Sequence, residues 1–339
     1  DSVQTVTTLD TTDLAQRPAA SIGDVLENEA GIAKRSFGPG TTRPVIRGFD
    51  GDRVLVLQDG IRTGTLSSQS GDHGEPIDPA SLERLEVVRG PATLLYGSNA
   101  IGGVVNAISR HDLLDQDPHK GVRGFITGQG GSANGMGGAT GGLDVGLGSW
   151  YLWGNGGGQR TSDYQTPIGA VENSFTRTGH FATGAGRYTS KSFFSAAYNF
   201  NDARYGIPAE EHEDEDGDEE ESEHHHGDVS LKMRRHGVRF NGGLKELSFA
   251  DRWQLTGTYN DYRHTEMEGD ESGTRLFNKQ FVYRTVLDQK RRGRLSGSIG
   301  AWGLPRDYEA IGAEALAPPA KQNAFVLFAV ESLDFENTR

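Results

Sequence analysis

The chain has 339 residues, 48 of them glycine, with no cysteine and a formal net charge of −13. The lack of cysteine excludes thiol catalysis and cysteine metal sites, and it is compatible with an oxidising compartment. Twelve acidic residues lie between positions 209 and 228, so the rest of the chain is nearly balanced in charge. Nucleic acid is not an expected partner, because it requires a basic face and this chain carries an acidic block.

No run of apolar residues is long enough for a transmembrane helix. The longest run is the seven residues from Ala324 to Val330, whereas a membrane-spanning helix needs about 20. A membrane β-strand needs only about 9 to 11 residues and places every second one in lipid, so low hydropathy is compatible with a barrel wall. No secretory signal is visible at Asp1, so we expect that an exported protein has lost its targeting segment.

Residues 1–115 are predicted to form a compact mixed α/β domain. Ser21 is expected to cap a short helix that ends before Gly31. Asp78 is expected to cap a second short helix, which begins at Pro79 and leads into a strand. The other predicted elements are a strand at 53–57 with a turn at 58–60, a strand at 85–88, a helix at 91–96 and a strand at 104–108.

From about Gly121 onward the chain is predicted to form β-strands, because apolar and polar residues alternate with period two. Phe194 and Tyr198 lie on one face of such a segment, and Ser195 and Asn199 lie on the other. Connections mostly alternate between short and long, as in outer-membrane barrels, with the 242–251 link as the clearest exception. The ten predicted segments lie near 121–130, 137–147, 149–161, 175–187, 192–204, 229–241, 252–264, 274–287, 293–303 and 322–332.

Two architectures share this alternation. A soluble β-sandwich or β-helix also has period-two strands, but the predicted segments are about twice as long as the usual 5 to 6 residues of soluble strands, which favours a membrane barrel. An open sheet edge in lipid would leave backbone groups unpaired at a cost of several kcal/mol each. The ten strands are therefore expected to be part of a larger barrel that continues beyond Arg339.

The first domain resembles the plug of TonB-dependent outer-membrane receptors. The matching stretches are RPVIRGF at 43–49, VLVLQDG at 54–60 and LERLEVVRGPATLLYGSNAIGGVVN at 82–106, in the order and spacing of that family. The resemblance implies a transmembrane antiparallel β-barrel, of 22 strands when complete, that is closed by an N-terminal mixed α/β plug domain. We assign the plug to residues 1–115 and an incomplete N-terminal part of the barrel, about ten strands, to residues 121–339.

The same resemblance implies a location and partners. The location is the outer membrane of a Gram-negative bacterium, where a monomeric barrel contacts lipid. Energy would come from the TonB-ExbB-ExbD complex through a short N-terminal box that is expected upstream of Asp1. We therefore expect transport to need residues outside this chain.

Three charged plug residues, Arg47, Glu86 and Arg89, lie in or beside short predicted strands, where an unpaired charge would be costly to bury. The resemblance implies that such residues pair with carboxylates of the barrel wall and hold the plug in place. The alternative is that they are solvated charges in a water-filled lumen.

The segment 209–228 combines four histidines with twelve carboxylates. Imidazole suits zinc, copper and nickel, and carboxylates raise the local cation concentration, whereas calcium takes oxygen ligands alone. If the first strand runs outward, this segment is the third external loop, and we predict that it captures metal outside the cell. The alternative is a solvated acidic loop. The predicted ligands in this segment are His212, Glu213, Glu223, His224, His225 and His226.

A second candidate site lies in the plug, where Asp72 and His73 stand between glycines on a predicted turn. A single loop histidine is usually just exposed, but this pair resembles the plug motif of the ZnuD-type zinc-uptake receptors. In that group the pair joins loop and wall ligands at a zinc site. The resemblance thus implies Asp72 and His73 as metal ligands, with Glu75 as a weaker neighbour. A histidine of the wall is expected beyond Arg339. Secondary candidates at the next external loop are His264, Glu266 and Glu268, and the alternative is that they are ordinary polar residues of that loop.

The predicted function is import of a divalent metal, with zinc as the transported ligand. No catalytic cofactor or enzymatic activity is expected, because no nucleophile constellation or paired-carboxylate motif is recognisable. Copper and nickel also accept these ligands. One alternative is a receptor of the same fold for a ferric siderophore, haem or cobalamin, and another is an adhesin or phage receptor without transport.

Overall fold

The computed structural model describes residues 5–91, 99–110, 119–208, 229–269, 271–312, 315 and 317–334. Its first part contains seven short strands: β1 (Thr5–Asp10), β2 (Ile32–Arg35), β3 (Arg43–Ile46), β4 (Val54–Gln58), β5 (Ile61–Arg62), β6 (Leu82–Arg89) and β7 (Gly103–Ser109). Five of them form a mixed sheet in the order β1-β6-β7-β4-β5, and β2 pairs with β3 separately. The predicted strands at 53–57, 85–88 and 104–108 are confirmed as β4, β6 and β7.

Two helices precede β2: α1 (Thr11–Gln16) and α2 (Ile22–Leu26). The Ser21 hydroxyl accepts a hydrogen bond from the Asp24 N–H at 3.2 Å, which confirms the predicted cap. The sequence did not predict α1, which begins with a capping box formed by Asp10 and Asp13. Asp78 caps a single 3-10 turn, Pro79–Ser81, that leads into β6. The predicted helix at 91–96 lies almost entirely outside the described residues.

The first domain has its own hydrophobic core. Ile22, Val25 and Leu26 of α2 are buried in one cluster with Leu85 of β6 and Val105 of β7. Each such side chain contributes roughly 1.5–3 kcal/mol when it is fully removed from water. The helix therefore covers one face of the sheet and fixes the fold of the domain.

The second part of the chain is one antiparallel sheet of ten long strands, in which each strand pairs with its neighbours in sequence. A small hairpin, β11 (Gln165–Thr166) with β12 (Gly169–Ala170), lies in the connection between two of them. The ten strands, called the wall, are β8 (Gly121–Gly131), β9 (Met136–Leu147), β10 (Trp150–Thr161), β13 (Thr176–Tyr188), β14 (Ser192–Gly206), β15 (Val229–Lys245), β16 (Ala250–Glu268), β17 (Glu271–Gln289), β18 (Leu295–Ile311) and β19 (Ala320–Leu333).

All ten predicted strand segments are confirmed, but several strands extend further than predicted. The predicted link at 242–251 is mostly strand, because β15 continues to Lys245 and β16 begins at Ala250. The end of the wall where β15 connects to β16 therefore has only short connections, at 148–149, 189–191, 246–249 and 290–294. The opposite end carries the long connections 162–175 and 207–228, so it is the external end by the asymmetry of outer-membrane barrels.

The two faces of the wall differ in chemistry. One face carries exposed apolar side chains and the other carries polar side chains that are buried against the first domain, as the predicted alternation requires. The exposed apolar set includes Val122, Ile126, Leu143, Leu152, Phe181, Phe194, Phe240, Leu255, Phe281, Ile299, Phe325 and Leu327. The buried polar set includes Thr140, Asn155, Gln159, Asn201, Arg235, Arg239, Asn241, Asn260, Asn278 and Gln280. Among the described residues, no helix is both long and apolar enough to cross a membrane.

We predict that a charge on the apolar face destabilises the wall. Leu255→Arg in the protein folded into lipid vesicles should lower the free energy of unfolding by about 2–4 kcal/mol, because the guanidinium would lie in hydrocarbon. Ser248→Arg, in the short exposed turn before β16, is the control and should change it by less than about 0.5 kcal/mol. Denaturant titration monitored by tryptophan fluorescence measures both, and equal effects would contradict the assignment of this face to lipid.

Candidate metal site between the first domain and the wall

The loop after β5 is held against the wall by hydrogen bonds from side-chain amides. Asn278 and Gln280 of β17 donate to the carbonyl oxygens of Gly64 and Arg62, at 2.6 Å and 3.1 Å. From β15, the guanidinium of Arg235 is fully buried and donates to the Gln58 side chain at 2.6 Å. Since each of these groups would be unsatisfied if the two parts separated, they fix the position of the loop.

Charged and polar contacts also join the two parts, but they differ from the predicted ion pairs. Arg239 of the wall forms an ion pair with Asp59 at 3.4 Å, and the His180 imidazole lies 3.3 Å from the Asp78 carboxylate. Glu86, predicted to contact the wall, instead accepts hydrogen bonds from Arg84 and Asn106 of its own sheet. Within the described ranges, Arg47 and Arg89 form no ion pair, so their pairing with the wall stays a prediction.

Three potential metal ligands converge where the loop before β6 meets the external part of β16. They are His73 from the first domain and His264 and Glu266 from the wall, and their ligand atoms all lie within 4.8 Å of one another. Nε2 of His73 lies 3.6 Å from a Glu266 carboxylate oxygen, and the two imidazole rings are 4.2 Å apart between centroids. Both histidines are buried and Glu266 is half-buried. We call these three residues the interface cluster.

The orientation of both rings in the interface cluster is set by hydrogen bonds. Nδ1 of His73 donates to the Leu66 carbonyl oxygen at 3.1 Å, which leaves the lone pair of Nε2 directed toward Glu266. The Tyr262 hydroxyl lies 3.1 Å from Nδ1 of His264 and also contacts the sulfur of Met233. Nε2 of His264 is buried and has no hydrogen-bond partner in the described part of the chain, so it is available to a ligand.

The interface cluster fits a transition metal in ligand type and nearly in spacing. A tetrahedral ion with ligands at about 2.1 Å needs ligand atoms about 3.4 Å apart. The 3.6 Å between His73 and Glu266 already matches, while the widest separation, at most 4.8 Å, must shrink by about 1.4 Å. Two imidazoles and one carboxylate suit zinc and leave a fourth position open.

The other predicted plug ligands have different surroundings. The Asp72 carboxylate is hydrogen-bonded by the Ser70 hydroxyl and lies outside the interface cluster. Glu75 is buried and accepts hydrogen bonds from Thr65 at 2.6 Å and Ser67 at 2.9 Å. The structure therefore places Glu75 in the framework of the loop, whereas Asp72 stays next to the interface cluster.

The secondary candidates His264, Glu266 and Glu268 were predicted on an external loop, but the structure places all three on a strand. The predicted segment 252–264 ended too early, because β16 continues to Glu268. His264 and Glu266, two positions apart, therefore share the inward face of the strand. A wall histidine was expected beyond Arg339, but His264 supplies one within the chain. The six ligands predicted at 209–228 lie outside the described residues.

The electrostatics of the loop depend on burial and on nearby charges. Burial of His73 opposes its protonation, but the nearby carboxylates of Glu266 and Asp72 favour the imidazolium more strongly, so its pKa is raised above 6.5. Burial raises the pKa of Glu75 despite its hydrogen bonds from Thr65 and the nearby charge of Arg235. A metal at the interface cluster must therefore displace a proton from His73 at mildly acidic pH.

A tyrosine of the wall fixes the loop that carries His73. The Tyr205 hydroxyl accepts a hydrogen bond from the Gly74 N–H at 2.8 Å and donates one to the Asp72 carbonyl oxygen at 2.9 Å. Position 74 requires glycine, because a Cβ there would collide with the Gly40 carbonyl oxygen. The peptide groups on both sides of His73 are thus bonded to one wall side chain.

Comparison of sequences relates the first part of the chain to a known family. Residues 1–104 match the TonB-dependent receptor plug domain. The hemin receptor of Yersinia pestis is 37% identical over 108 residues, which are 31% of this chain and 16% of that receptor. The vitamin B12 transporter BtuB of Vibrio vulnificus is 38% identical over 109 residues, which are 32% of this chain and 18% of that transporter.

Solved structures extend the similarity of fold to the whole chain. The copper transporter OprC matches with a TM-score of 0.75 at 16% identity, over 97% of this chain and 52% of that one. The siderophore receptor PirA of Pseudomonas aeruginosa matches with a TM-score of 0.69 at 17% identity, over 98% of this chain and 53% of that one. The chain spans about half the length of these proteins. It has the fold of a plug domain followed by ten strands of a TonB-dependent receptor barrel, and its location is the outer membrane.

We predict that Tyr205→Phe loosens the loop around His73. The change leaves the Gly74 N–H and the Asp72 carbonyl without their partner, which should cost about 1–3 kcal/mol. Amide hydrogen exchange of residues 70–75 should accelerate accordingly. Tyr198→Phe, on the outer face where the hydroxyl contacts His236, is the control and should leave this exchange unchanged. Equal exchange in wild type and Tyr205→Phe would show that the loop is held by other contacts.

Proposed function

We propose that this chain is the plug and part of the barrel of an outer-membrane importer whose cargo is a divalent transition metal, with zinc as the best fit. The observation that carries the proposal is the interface cluster, in which His73 of the plug meets His264 and Glu266 of the wall. Imidazoles are ligands that zinc, copper and nickel prefer, and the buried Nε2 of His264 has no hydrogen-bond partner in the described part of the chain.

Capture and selection are assigned to different residues. The segment 209–228, with twelve carboxylates and four histidines, is proposed to raise the local concentration of divalent cations at the external end. The interface cluster then selects the metal, because placed imidazoles discriminate by ligand type and geometry. Asp72, adjacent to His73, is proposed as the fourth ligand once its carboxylate leaves Ser70.

Entry into the periplasm is proposed to require energy from the TonB-ExbB-ExbD complex. The hydrogen bonds from Asn278, Gln280 and Tyr205 to the plug hold the loop that carries His73 against the wall. A pull that displaces this loop separates His73 from His264 and Glu266. The metal then keeps too few ligands to remain bound.

Calorimetry with zinc chloride on the purified receptor tests the site. Loss of a residue that only supports a metal ligand typically weakens metal binding by roughly 10–100-fold. His73→Ala and His264→Ala each remove a proposed direct ligand, so each should weaken zinc binding by at least this factor. His236→Ala, on the outer face of the wall, is the matched control and should bind zinc as the wild type does. Unchanged affinity in both cluster variants would refute the metal site.

The affinity for zinc should depend on pH through His73. The pKa of His73 lies above 6.5 in the folded protein, and only the neutral imidazole binds metal. The affinity for zinc should therefore be greatest above this pKa and should fall as the pH drops through it. Below the pKa the decrease should approach about tenfold per pH unit for one competing proton. NMR titration of metal-free receptor should show a lower His73 pKa in Glu266→Gln, because the negative charge that favours the imidazolium is lost. An unchanged pKa would contradict this account.

A second candidate cargo is haem, a ferric siderophore or cobalamin. The names of the relatives favour it, since they refer to hemin, vitamin B12 and siderophores and not to zinc. In that case the interface cluster would serve the packing of plug and wall alone. Growth of a receptor-dependent strain on zinc salts, and on each chelate, distinguishes the two candidate cargoes. If a chelate still rescues growth in the His73→Ala and His264→Ala variants, this second candidate is favoured.

A further inference from the structure

A row of cations crosses the lipid-facing surface of the wall near its external end. Arg160 lies directly opposite Arg177, Arg177 opposite Arg204, and Arg204 opposite Lys232, on the adjacent strands β10, β13, β14 and β15. All four residues are exposed. Their neighbours in sequence lie on the inward face and are buried, apart from the half-buried Thr178, so the four side chains point away from the plug. We call these four residues the basic row.

In the neighbouring rows of the same face each arginine has a carboxylate partner, even where Arg234 lies directly opposite Arg263. Arg234 forms an ion pair with Asp202 at 3.0 Å, and Arg263 forms one with Asp261 at 3.2 Å. Another row of this face lies closer to the membrane centre, and its side-chain charges alternate in sign from strand to strand. Its residues are Asp261, Lys279, Asp307 and Lys321. In the basic row, no side chain forms an ion pair with a carboxylate of the described ranges. The four adjacent cations are therefore an exception to the pattern of this surface.

This arrangement is unfavourable without an anion from outside. Side chains directly opposite each other on antiparallel strands have Cβ atoms about 4.5–5.5 Å apart, and like charges in such pairs are destabilising. Four strands at about 4.8 Å spacing place the cations within roughly 15 Å. The contacts of these arginines are neutral: Arg204 donates to the Ser230 hydroxyl at 3.4 Å, and Arg177 and Arg204 lie about 6 Å from the Phe175 ring.

The position of the basic row identifies the kind of anion. Arg204 is four residues, or about 13 Å along the strand, beyond Phe200, where the aromatic and apolar side chains of the outer face begin. The row therefore lies at the level of lipid headgroups on the external side. The outer leaflet of a Gram-negative outer membrane is built largely of phosphorylated glycolipid. Guanidinium groups bind phosphate with paired, charge-assisted hydrogen bonds.

We propose that the basic row binds the phosphate groups of an outer-leaflet glycolipid, so that one such lipid is a bound component of the receptor at β10 and β13–β15. The basic row does not face the plug, and this inference is independent of the cargo. The competing anion is the chain's own acidic segment 209–228, which connects the two strands that carry Arg204 and Lys232. The experiment must separate these two sources of negative charge.

The test uses purified receptor in neutral detergent, with bisphosphorylated lipid A and its dephosphorylated form as probes. Native mass spectrometry and thermal unfolding should show that bisphosphorylated lipid A binds the wild type and raises its Tm, while the dephosphorylated form binds at least about tenfold more weakly. Arg177→Gln with Arg204→Gln should lose the same factor in affinity. In detergent without lipid, this double variant should unfold at an equal or higher Tm, because a repulsive pair has been removed.

Lys279→Gln with Lys321→Gln is the charge-matched control, since it removes two cations from the alternating row. It should keep its affinity for lipid A within about twofold. Equal loss in both double variants would overturn the proposal in favour of a diffuse electrostatic attraction. Lipid A binding that appears only after the carboxylates of 209–228 are replaced by amides would also overturn it, because the acidic segment would then occupy the row.

Discussion

In the hydrocarbon of a membrane no water is present to hydrogen-bond a peptide group, so each N–H and C=O of the wall must find its partner on a neighbouring strand. This requirement produces the continuous antiparallel ladder from β8 to β19, and the ladder forces side chains to alternate between lipid and lumen. The lumen face is consequently free to be polar. Its amides and guanidinium groups bind the carbonyl oxygens and side chains of the plug, and this contact brings His73 next to His264.

The strands were predictable where lipid imposes the pattern and less so elsewhere. Alternation located all ten wall strands, but it placed the end of β16 at residue 264. The strand in fact continues to Glu268, beyond the apolar belt. There the backbone still pairs while the outward positions no longer need to be apolar, so hydropathy carries no signal. Helix α1 was missed for a related reason: its six residues have one buried apolar side chain, Leu14, and therefore no visible stripe.

The candidate site was predictable only in part. His73 could be selected from its motif, and His264 could be named as a secondary candidate, but nothing in the sequence shows that the two rings approach to 4.2 Å. That contact depends on the register of the wall and on where the plug docks, both of which are set by residues far apart in the chain. The Arg239–Asp59 ion pair and the His180–Asp78 contact were missed for the same reason. Glu86 was predicted to pair with the wall, although Arg84 and Asn106 of its own sheet donate hydrogen bonds to it.

The Tyr205 hydroxyl, bonded to the peptide groups on both sides of His73, has a consequence for how a pulling force would be felt. Hydrogen bonds resist extension over only a fraction of an ångström. A loop that is held by hydrogen bonds at two adjacent peptide groups therefore does not stretch gradually under force, and is released only when these bonds break. Below a threshold the imidazole stays in register with β16, and above it both bonds fail together. The plug loop would then move in a single step.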